Sequence, residues 1–276
     1  MKDFHFSIGG NMSHIQNKVN AIDPGMTGET DRHISGNKIT TRNKPMNSYY
    51  MLKWTGKIYQ TQEEVDNSPH VKGAGPGDLV FEDISGPEGK PDGVIDANDR
   101  QILGTEYPAW TFGANLSFGY KGINISADFQ GIADAYTYGT CEYYTPTFQG
   151  SNFGQYWTKR WTPEHPSETV PRLWVESGPN VDYANSYFLM DRTYLRLKNL
   201  VLSYDLPLNI IRTLKMEKMR VYVSASNLFT WTKKDYRGLD PERSNGAGER
   251  GGIPRRYARN LFQPPGARRQ APRRRI

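Results

Sequence analysis

The chain has 276 residues, which is long enough for one or two domains, and 36% of its residues are hydrophobic. No stretch approaches the roughly 18 consecutive apolar residues of a membrane helix, and the opening KDFHFSIGG alternates where a signal peptide would have a basic region and an apolar core. The chain is therefore either cytosolic or a fragment without its natural start. A single cysteine, Cys141, allows no internal disulfide and has no CxxC partner, which argues against zinc and redox chemistry.

The formal net charge of +6 is concentrated at one end of the sequence. Residues 255–276 hold eight arginines and no acid, so removing those eight charges leaves −2 on the remainder. A basic tail of this kind can bind nucleic acid or an acidic surface. The alternative, which we favour, is a disordered or aberrant end, so we expect no nucleic-acid partner.

Alternation of apolar with small or polar residues predicts five β-strands. In chain order they are FHFSIGGNMS from residue 4, WTFGANLSFGY from residue 110, INISADF from residue 123, YLRLKNLVLSYDLP from residue 194 and MRVYVSASNLFTW from residue 219. The dipeptide KG after Tyr120 predicts a hairpin between the second and third strands. The apolar phase changes near Lys198 and Asn199, which indicates a β-bulge.

The predicted connections alternate in length. Those near residues 13–108, 132–191 and 232–254 are long, whereas 120–122 and 207–218 are short or medium. If the strands are antiparallel, every long connection lies on one side of the sheet. Aromatic residues stand at both ends of the apolar face, as at the two interfaces of a membrane. This arrangement is typical of a large outer-membrane β-barrel and predicts an all-β, antiparallel fold. The alternative is a soluble β-sandwich, in which loops this long at one end only are uncommon.

Several segments in series resemble the SusC/RagA-like TonB-linked outer-membrane proteins of the TonB-dependent receptor superfamily. They are GDLVFEDISG, PDGVIDANDRQILGTEYPAWTFGANLSFGYKGINISADFQG, YWTKRWTPEHPSETVPRLW, SYFLMDRTYLRLKNLVLSYDLP and MRVYVSASNLFTWTKKDYRGLDPE. The resemblance implies a barrel in the outer membrane of Bacteroidetes-type bacteria, in contact with its lipid. Such a barrel imports glycans or peptides together with a SusD-like surface lipoprotein, and is energised through TonB.

The resemblance also implies that residues 1–254 are the C-terminal portion of such a barrel. The plug, the segment that contacts TonB and most of the barrel would lie outside this sequence, so we expect the chain alone not to transport. Residues 255–276 stand where the family has a final strand with a terminal aromatic residue. We interpret this Arg- and Pro-rich run as a frameshift or assembly artefact.

A candidate calcium loop surrounds PDGVIDANDR, residues 91–100. Read without gaps, with Gly93 at the sixth position, the loop would have Lys90 where a ligand belongs. The family pattern fits better if GPEGKP is an insert, and it then implies the ligands Asp83, Ser85, Asp92, the Val94 carbonyl, Asp96 and Asp99. We expect weak, structural calcium binding; the alternative is an acidic Asx turn without metal.

A dense aromatic segment, EYYTPTFQGSNFGQYWTKRW at residues 142–161, is the second candidate site. Aromatic faces suit sugar rings and peptide side chains. We therefore predict ligand contacts from Tyr143, Tyr144, Tyr156, Trp157 and Trp161. The alternative is that these rings pack a core within the loop or meet the lipoprotein partner.

No enzyme is expected. The five histidines show no HxxxH spacing, GxSxG is missing, and GAGPG at residues 73–77 precedes a predicted strand where a phosphate loop would precede a helix. The rival function from another class is a secreted, calcium-stabilised β-sandwich that binds carbohydrate, with Phe112, Leu116 and Phe118 in its core.

Overall fold

The computed structural model describes residues 4–22, 32–86, 88–139, 155–174, 178–213, 215–238 and 240–242. The chain divides into two units, Met1–Asn245 and Gly246–Ile276. The described residues all belong to the first unit, and the predicted aberrant tail at 255–276 lies outside them.

The regular secondary structure of the described residues consists mainly of β-strands. In chain order these are β1 (Phe4–His14), β2 (Arg32–Ser35), β3 (Lys38–Thr41), β4 (Ser48–Met51), β5 (Trp54–Ile58), β6 (Leu79–Phe81), β7 (Gln101–Thr105), β8 (Trp110–Tyr120), β9 (Ile123–Ala133), β10 (Tyr136–Tyr138), β11 (Leu189–Asp191), β12 (Tyr194–Asp205) and β13 (Arg220–Thr232). Short helices are α1 (Gln62–Asp66), α2 (Pro179–Asp182) and α3 (Leu208–Thr213), with 3₁₀ turns at Ala97–Asp99, Gln155–Lys159 and Ser186–Phe188.

Five long strands form one sheet in the order β1-β8-β9-β12-β13, with every neighbour antiparallel. The predicted five strands and all-β class are thereby confirmed. The register of β12 shifts between Leu197 and Asn199 against both of its neighbours, which is the predicted bulge. The hairpin turn has positive φ at Lys121 (48°) and Gly122 (88°), as the two-residue turn that matches strand twist requires.

One face of this long sheet is apolar and open. The paired residues of the five strands form a continuous row across it: Phe6, Phe118, Ile125, Leu202 and Val223. Their side chains are 40–70% exposed. A sandwich core would bury them, so within the described residues this face is not the core of a β-sandwich.

The opposite face of the long sheet is polar. The register aligns Ser7, Ser117, Ser126, Val201 and Ser224 in the neighbouring row. Successive side chains of a strand point to opposite faces, so the alternating sequence produces one apolar face and one polar face. None of the helices in the described ranges is long and apolar enough to cross a bilayer.

The connections lie as predicted, with the long ones at one end of the sheet. The turn at 121–122 and the link at 206–219 join strands at one rim, while 15–109 and 134–193 leave from the other. The described parts of these two long connections form what we call the loop body. It contains a sheet of order β2-β3-β4-β7 and two strand pairs, β5-β6 and β10-β11.

The loop body has its own hydrophobic core, whose strands are not evident from the sequence pattern. Strands of three to five residues are too short to show clear alternation. The buried members of the core are Leu52, Ile58, Val71, Leu79, Phe81, Ile95, Trp157, Trp161, Val170, Tyr187 and Phe188.

Candidate functional site

The predicted calcium loop closes around the proposed insert. The Gly86 amide donates to the Lys90 carbonyl (2.6 Å), so the insert folds back on itself. The Gly93 amide, on the far side of the insert, donates to Oδ2 of Asp83 at 2.9 Å. The structure therefore brings Asp83 beside the Asp92–Gly93 turn, which is the arrangement that the gapped alignment requires.

The carboxylates of this loop mostly accept backbone N–H groups. Oδ1 of Asp99 accepts from the Ile84 and Ser85 amides, and its Oδ2 accepts from the Asp96 amide. Asp92 and Asp96 each accept the amide two residues further on, as in the metal-free Asx-turn alternative.

The fit to a metal ion is incomplete in this conformation. Among the described residues, no group of three or more His, Cys, Asp or Glu side chains converges on a common point. One observation favours a cation, because Oδ1 of Asp83 is buried and has no hydrogen-bond partner within the described part of the chain. The Val94 side chain is exposed, while Ile95 anchors the loop in the core. Calcium at this loop stays a prediction.

The aromatic segment is only partly described, because Tyr143 and Tyr144 lie outside the described residues. Trp157 and Trp161 are 2% and 9% exposed within the loop-body core. That packing is the alternative considered for them, and neither ring presents an open face here. Tyr156 is half-buried, and the guanidinium of Arg237 lies over its ring at 4.8 Å.

Tyr156 also meets Tyr187 through their hydroxyl groups. Burial raises the pKa of Tyr187 well above its ordinary value, and the neighbouring Tyr156 raises it further. Arg237 covers the Tyr187 ring at 4.9 Å and donates to the Tyr187 carbonyl (2.6 Å). The Arg237 guanidinium thus lies against the rings of both tyrosines.

A buried carboxylate that the sequence analysis missed organises the loop body. Asp78 is fully buried and accepts five hydrogen bonds. They come from Arg172 Nε (2.8 Å), Arg172 NH2 (2.6 Å), Trp174 Nε1 (2.8 Å), Asn180 Nδ2 (2.9 Å) and the Gly75 amide (3.0 Å). The only sequence signal was a lone acid directly before the apolar strand LVF.

Gly77, next to Asp78, permits the close packing of this network. Its φ is +88°, and a Cβ there would lie 2.4 Å from the Trp161 ring. Glycine is therefore required on both counts.

A second missed cluster lies on the polar face at the long-loop end of β12. Arg196 is buried, and its guanidinium contacts Asp240 and Glu242 (both 2.6 Å). Lys198 also binds Glu242, at 2.9 Å. Burial pushes the pKa of Asp240 up, but the Glu242 amide and the Arg196 guanidinium hold it below its ordinary value. The signal was a charged residue within an alternating strand.

Comparison with known proteins finds relatives that align with most of the chain, although no family model matches it. TonB-dependent receptors P26 and P3 of Formosa agariphila are 30% identical over 200 residues and 29% identical over 250 residues. TonB-dependent receptor SusC of Bacteroides thetaiotaomicron is 23% identical over 248 residues. These alignments cover 70%, 87% and 89% of the chain, and 19%, 23% and 23% of the respective relatives.

Solved structures show the same fold. The RagAB peptide transporter matches with a TM-score of 0.65 and 23% identity, over 88% of this chain and 25% of the other. The RagAB peptide importer in its open-open state matches with a TM-score of 0.64 over 88% and 24%. Over most of its length the chain therefore matches one part of the SusC-like TonB-dependent receptors, and it spans about a fifth to a quarter of the length of the relatives it matches.

Proposed function

We propose that the chain forms part of the wall and the outer loops of an outer-membrane importer of glycans or peptides. The observation that carries this proposal is the two-faced long sheet, with an apolar row suited to lipid on one side and a polar row on the other. Relatives named as TonB-dependent receptors support it, as does a structural neighbour titled a peptide transporter.

Partners follow from the same proposal. A SusD-like lipoprotein would meet the long-loop side, and energy would come from TonB through parts of the protein beyond this chain. The relatives are transporters and receptors by name, which supports a binding role without catalysis.

Membrane insertion is tested by quenching Trp fluorescence with brominated lipid in liposomes. Trp110 ends the apolar face of β8, so bromine near the headgroups should quench it more than bromine deep in the chains. Trp110→Phe should remove part of the quenchable emission, and the rest should come from Trp231 on the same face of the sheet. The matched variant Trp157→Phe, in the loop-body core, should leave the quenchable fraction unchanged. Equal effects of the two substitutions would contradict insertion.

Import is tested in the organism that encodes the chain. In-frame deletion of residues 110–232 should abolish growth on at least one glycan or peptide source, because it removes four long strands of the wall. Disrupting TonB should abolish growth on the same source. Unchanged growth on every source would argue against an importer.

We also propose that the loop around Asp83, Asp92 and Asp96 binds calcium weakly, in the ~10⁻⁴ M range typical of extracellular modules. The unpartnered Oδ1 of Asp83 supports this proposal. At about 100 times Kd, calcium would stabilise the closed loop by roughly 2.7 kcal/mol.

The measurement for calcium is hydrogen exchange across residues 83–100, with millimolar calcium or with chelator. Calcium should slow exchange in the unaltered chain and have no effect after Asp96→Ala. Glu63→Ala, on exposed α1, is the matched control. Equal protection with and without calcium would leave an acidic turn only.

A further inference from the structure

A short segment after β13 returns to the polar face of the long sheet. We call its described residues, 233–238 and 240–242, the strap. Lys233 pairs with Asp191 (2.6 Å), and Arg237 lies between the rings of Tyr156 and Tyr187. Each of these contacts involves a charged side chain, so salt and competing charges should weaken the strap's attachment more than they weaken a sheet ladder.

The far end of the strap places two carboxylates on one guanidinium. NH1 of Arg196 donates to Glu242 and NH2 donates to Asp240, while Nε donates to the Thr230 hydroxyl at 2.9 Å. The Lys198 ammonium donates to both oxygens of Glu242, at 2.9 and 3.0 Å. Arg196 and Lys198 thus already bind carboxylates, with the geometry that an acidic ligand would use.

The cation of this cluster is much more buried than the two carboxylates that bind it. The Arg196 side chain is 7% exposed, whereas Asp240 and Glu242 are 42% and 37% exposed. The acids can therefore return to water at little cost, but a buried cation left without an anion is costly. An incoming anion would remove that cost.

Arg192 supplies a third cation beside the strap. It is 6% exposed, and its NH1 and NH2 donate to the Pro241 and Glu106 carbonyls. Within the described residues its Nε has no hydrogen-bond partner. The contact with Pro241 places this incompletely used donor set next to the same end of the strap.

We propose that Arg196 and Lys198, with Arg192 beside them, form a binding site for a carboxylate- or sulfate-bearing solute. Asp240 and Glu242 of the strap occupy this site until such a solute displaces them. Register pairs Arg196 with Gln130 and Thr230 on the polar face. The solute's access along that face rests on the proposed importer function.

Displacement of the strap is measured by limited trypsin digestion of the full chain in detergent, with cleavage at each site quantified by mass spectrometry. The solutes are tetraglutamate and, as the uncharged match, tetraglutamine, at equal ionic strength. Tetraglutamate should speed cleavage after Arg237 by about fivefold, the equivalent of losing the partly exposed Lys198–Glu242 ion pair. Cleavage after Lys72, an exposed loop-body site, should not change.

Two acid-to-amide variants separate the strap from general charge effects. Asp240→Asn with Glu242→Gln should speed cleavage after Arg237 without any peptide, and tetraglutamate should then add nothing. Glu63→Gln with Asp66→Asn, on exposed α1, should behave like the unaltered chain. Equal acceleration by tetraglutamate and tetraglutamine would overturn displacement.

Binding itself is measured by anisotropy of fluorescent tetraglutamate. The strap double variant should bind roughly tenfold more tightly, because two competing carboxylates are gone. Adding Lys198→Gln, at a partly exposed position, should reverse most of that gain. If the double variant is cleaved faster but binds tetraglutamate no more tightly, the acids only hold the strap in place, and the proposed binding site is wrong. These measurements do not depend on bilayer insertion, so their failure is distinguishable from failure of the importer proposal.

Discussion

Asp78 shows how one buried charge can tie together distant parts of the loop body. Its partners Arg172, Trp174 and Asn180 are 94 to 102 residues away in sequence. The five hydrogen-bond donors replace the water that the carboxylate loses on burial. Removing the carboxylate would leave those buried donors without an acceptor.

We expect Asp78→Asn to destabilise the loop body by about 3–5 kcal/mol, because it leaves the Arg172 charge without its anion. Hydrogen exchange of the core amides at Trp157 and Trp161 should report this loss. Asp66→Asn, on exposed α1, should leave the same amides protected. Unchanged protection in Asp78→Asn would show that the network is dispensable.

Tyr49 gives the loop body a dependence on alkaline pH. Burial, with the nearby negative charge of Glu106, raises the pKa of Tyr49 from 10.0 to about 12. The folded state thus holds the phenolic proton more tightly than the unfolded state does. The stabilisation is complete below pH ~10 and is lost as the pH rises towards ~12, up to about 3 kcal/mol.

Tyr49→Phe should therefore flatten the fall in unfolding free energy between pH ~10 and ~12. The measurement is urea unfolding in detergent at steps from pH 9 to 12, and the readout is the slope of stability against pH. Tyr222→Phe, at an exposed position, should leave that slope unchanged. The same slope for Tyr49→Phe and the unaltered chain would contradict the assignment.

At the scale of the element, adjacent residues of strand β12 contribute to the apolar face and to the polar face of the long sheet. Leu202 belongs to the apolar row with Ile125 and Val223, whereas Val201 faces the opposite way, between Ser126 and Ser224. The bulge at Leu197/Asn199 changes which residues point outward. Alternation would otherwise put Leu195 and Leu202 on opposite faces.

A matched pair of substitutions tests this division. In liposomes, Leu200→Lys, at mid-strand on the same face as Leu202, should cost about 2–4 kcal/mol of folding free energy, the value for a cation facing lipid near the bilayer centre. Val201→Lys, one residue away, should cost no more than about 1 kcal/mol. Urea titrations followed by Trp fluorescence give both values. Equal costs would mean that the Leu202 face does not meet lipid.

At the scale of the whole molecule, the long sheet has two open edges and one open apolar face. Within the described residues, β1 pairs only with β8, and β13 pairs only with β12. Unpaired edge strands recruit other chains, and the exposed row adds an apolar surface that water disfavours.

We expect the chain to aggregate in aqueous buffer and to become monodisperse in detergent. Detergent tails cover the apolar row, whereas its contact with water is unfavourable. Size-exclusion chromatography with light scattering, run in both conditions, provides the measurement. A monodisperse species in buffer would contradict the lipid-facing role of this face.

The sequence by itself determined the strands and faces of the long sheet, because these features depend on local periodicity. A period of two identifies a strand and its two faces without knowledge of its neighbours. The break in phase at Lys198 and the KG turn after Tyr120 are likewise local signals. The five strands, the bulge and the one-sided long loops could all be predicted in this way.

Only the tertiary structure decided what the long connections build. Asp78 and Arg172, or Arg196 and Asp240, are 94 and 44 residues apart, and no local pattern states that they meet. The rings of Trp157 and Trp161 look the same in sequence whether they face a ligand or a core. Burial and partner choice depend on the free energy of the assembled loop body, in which each polar group must find a partner and each apolar group must leave water.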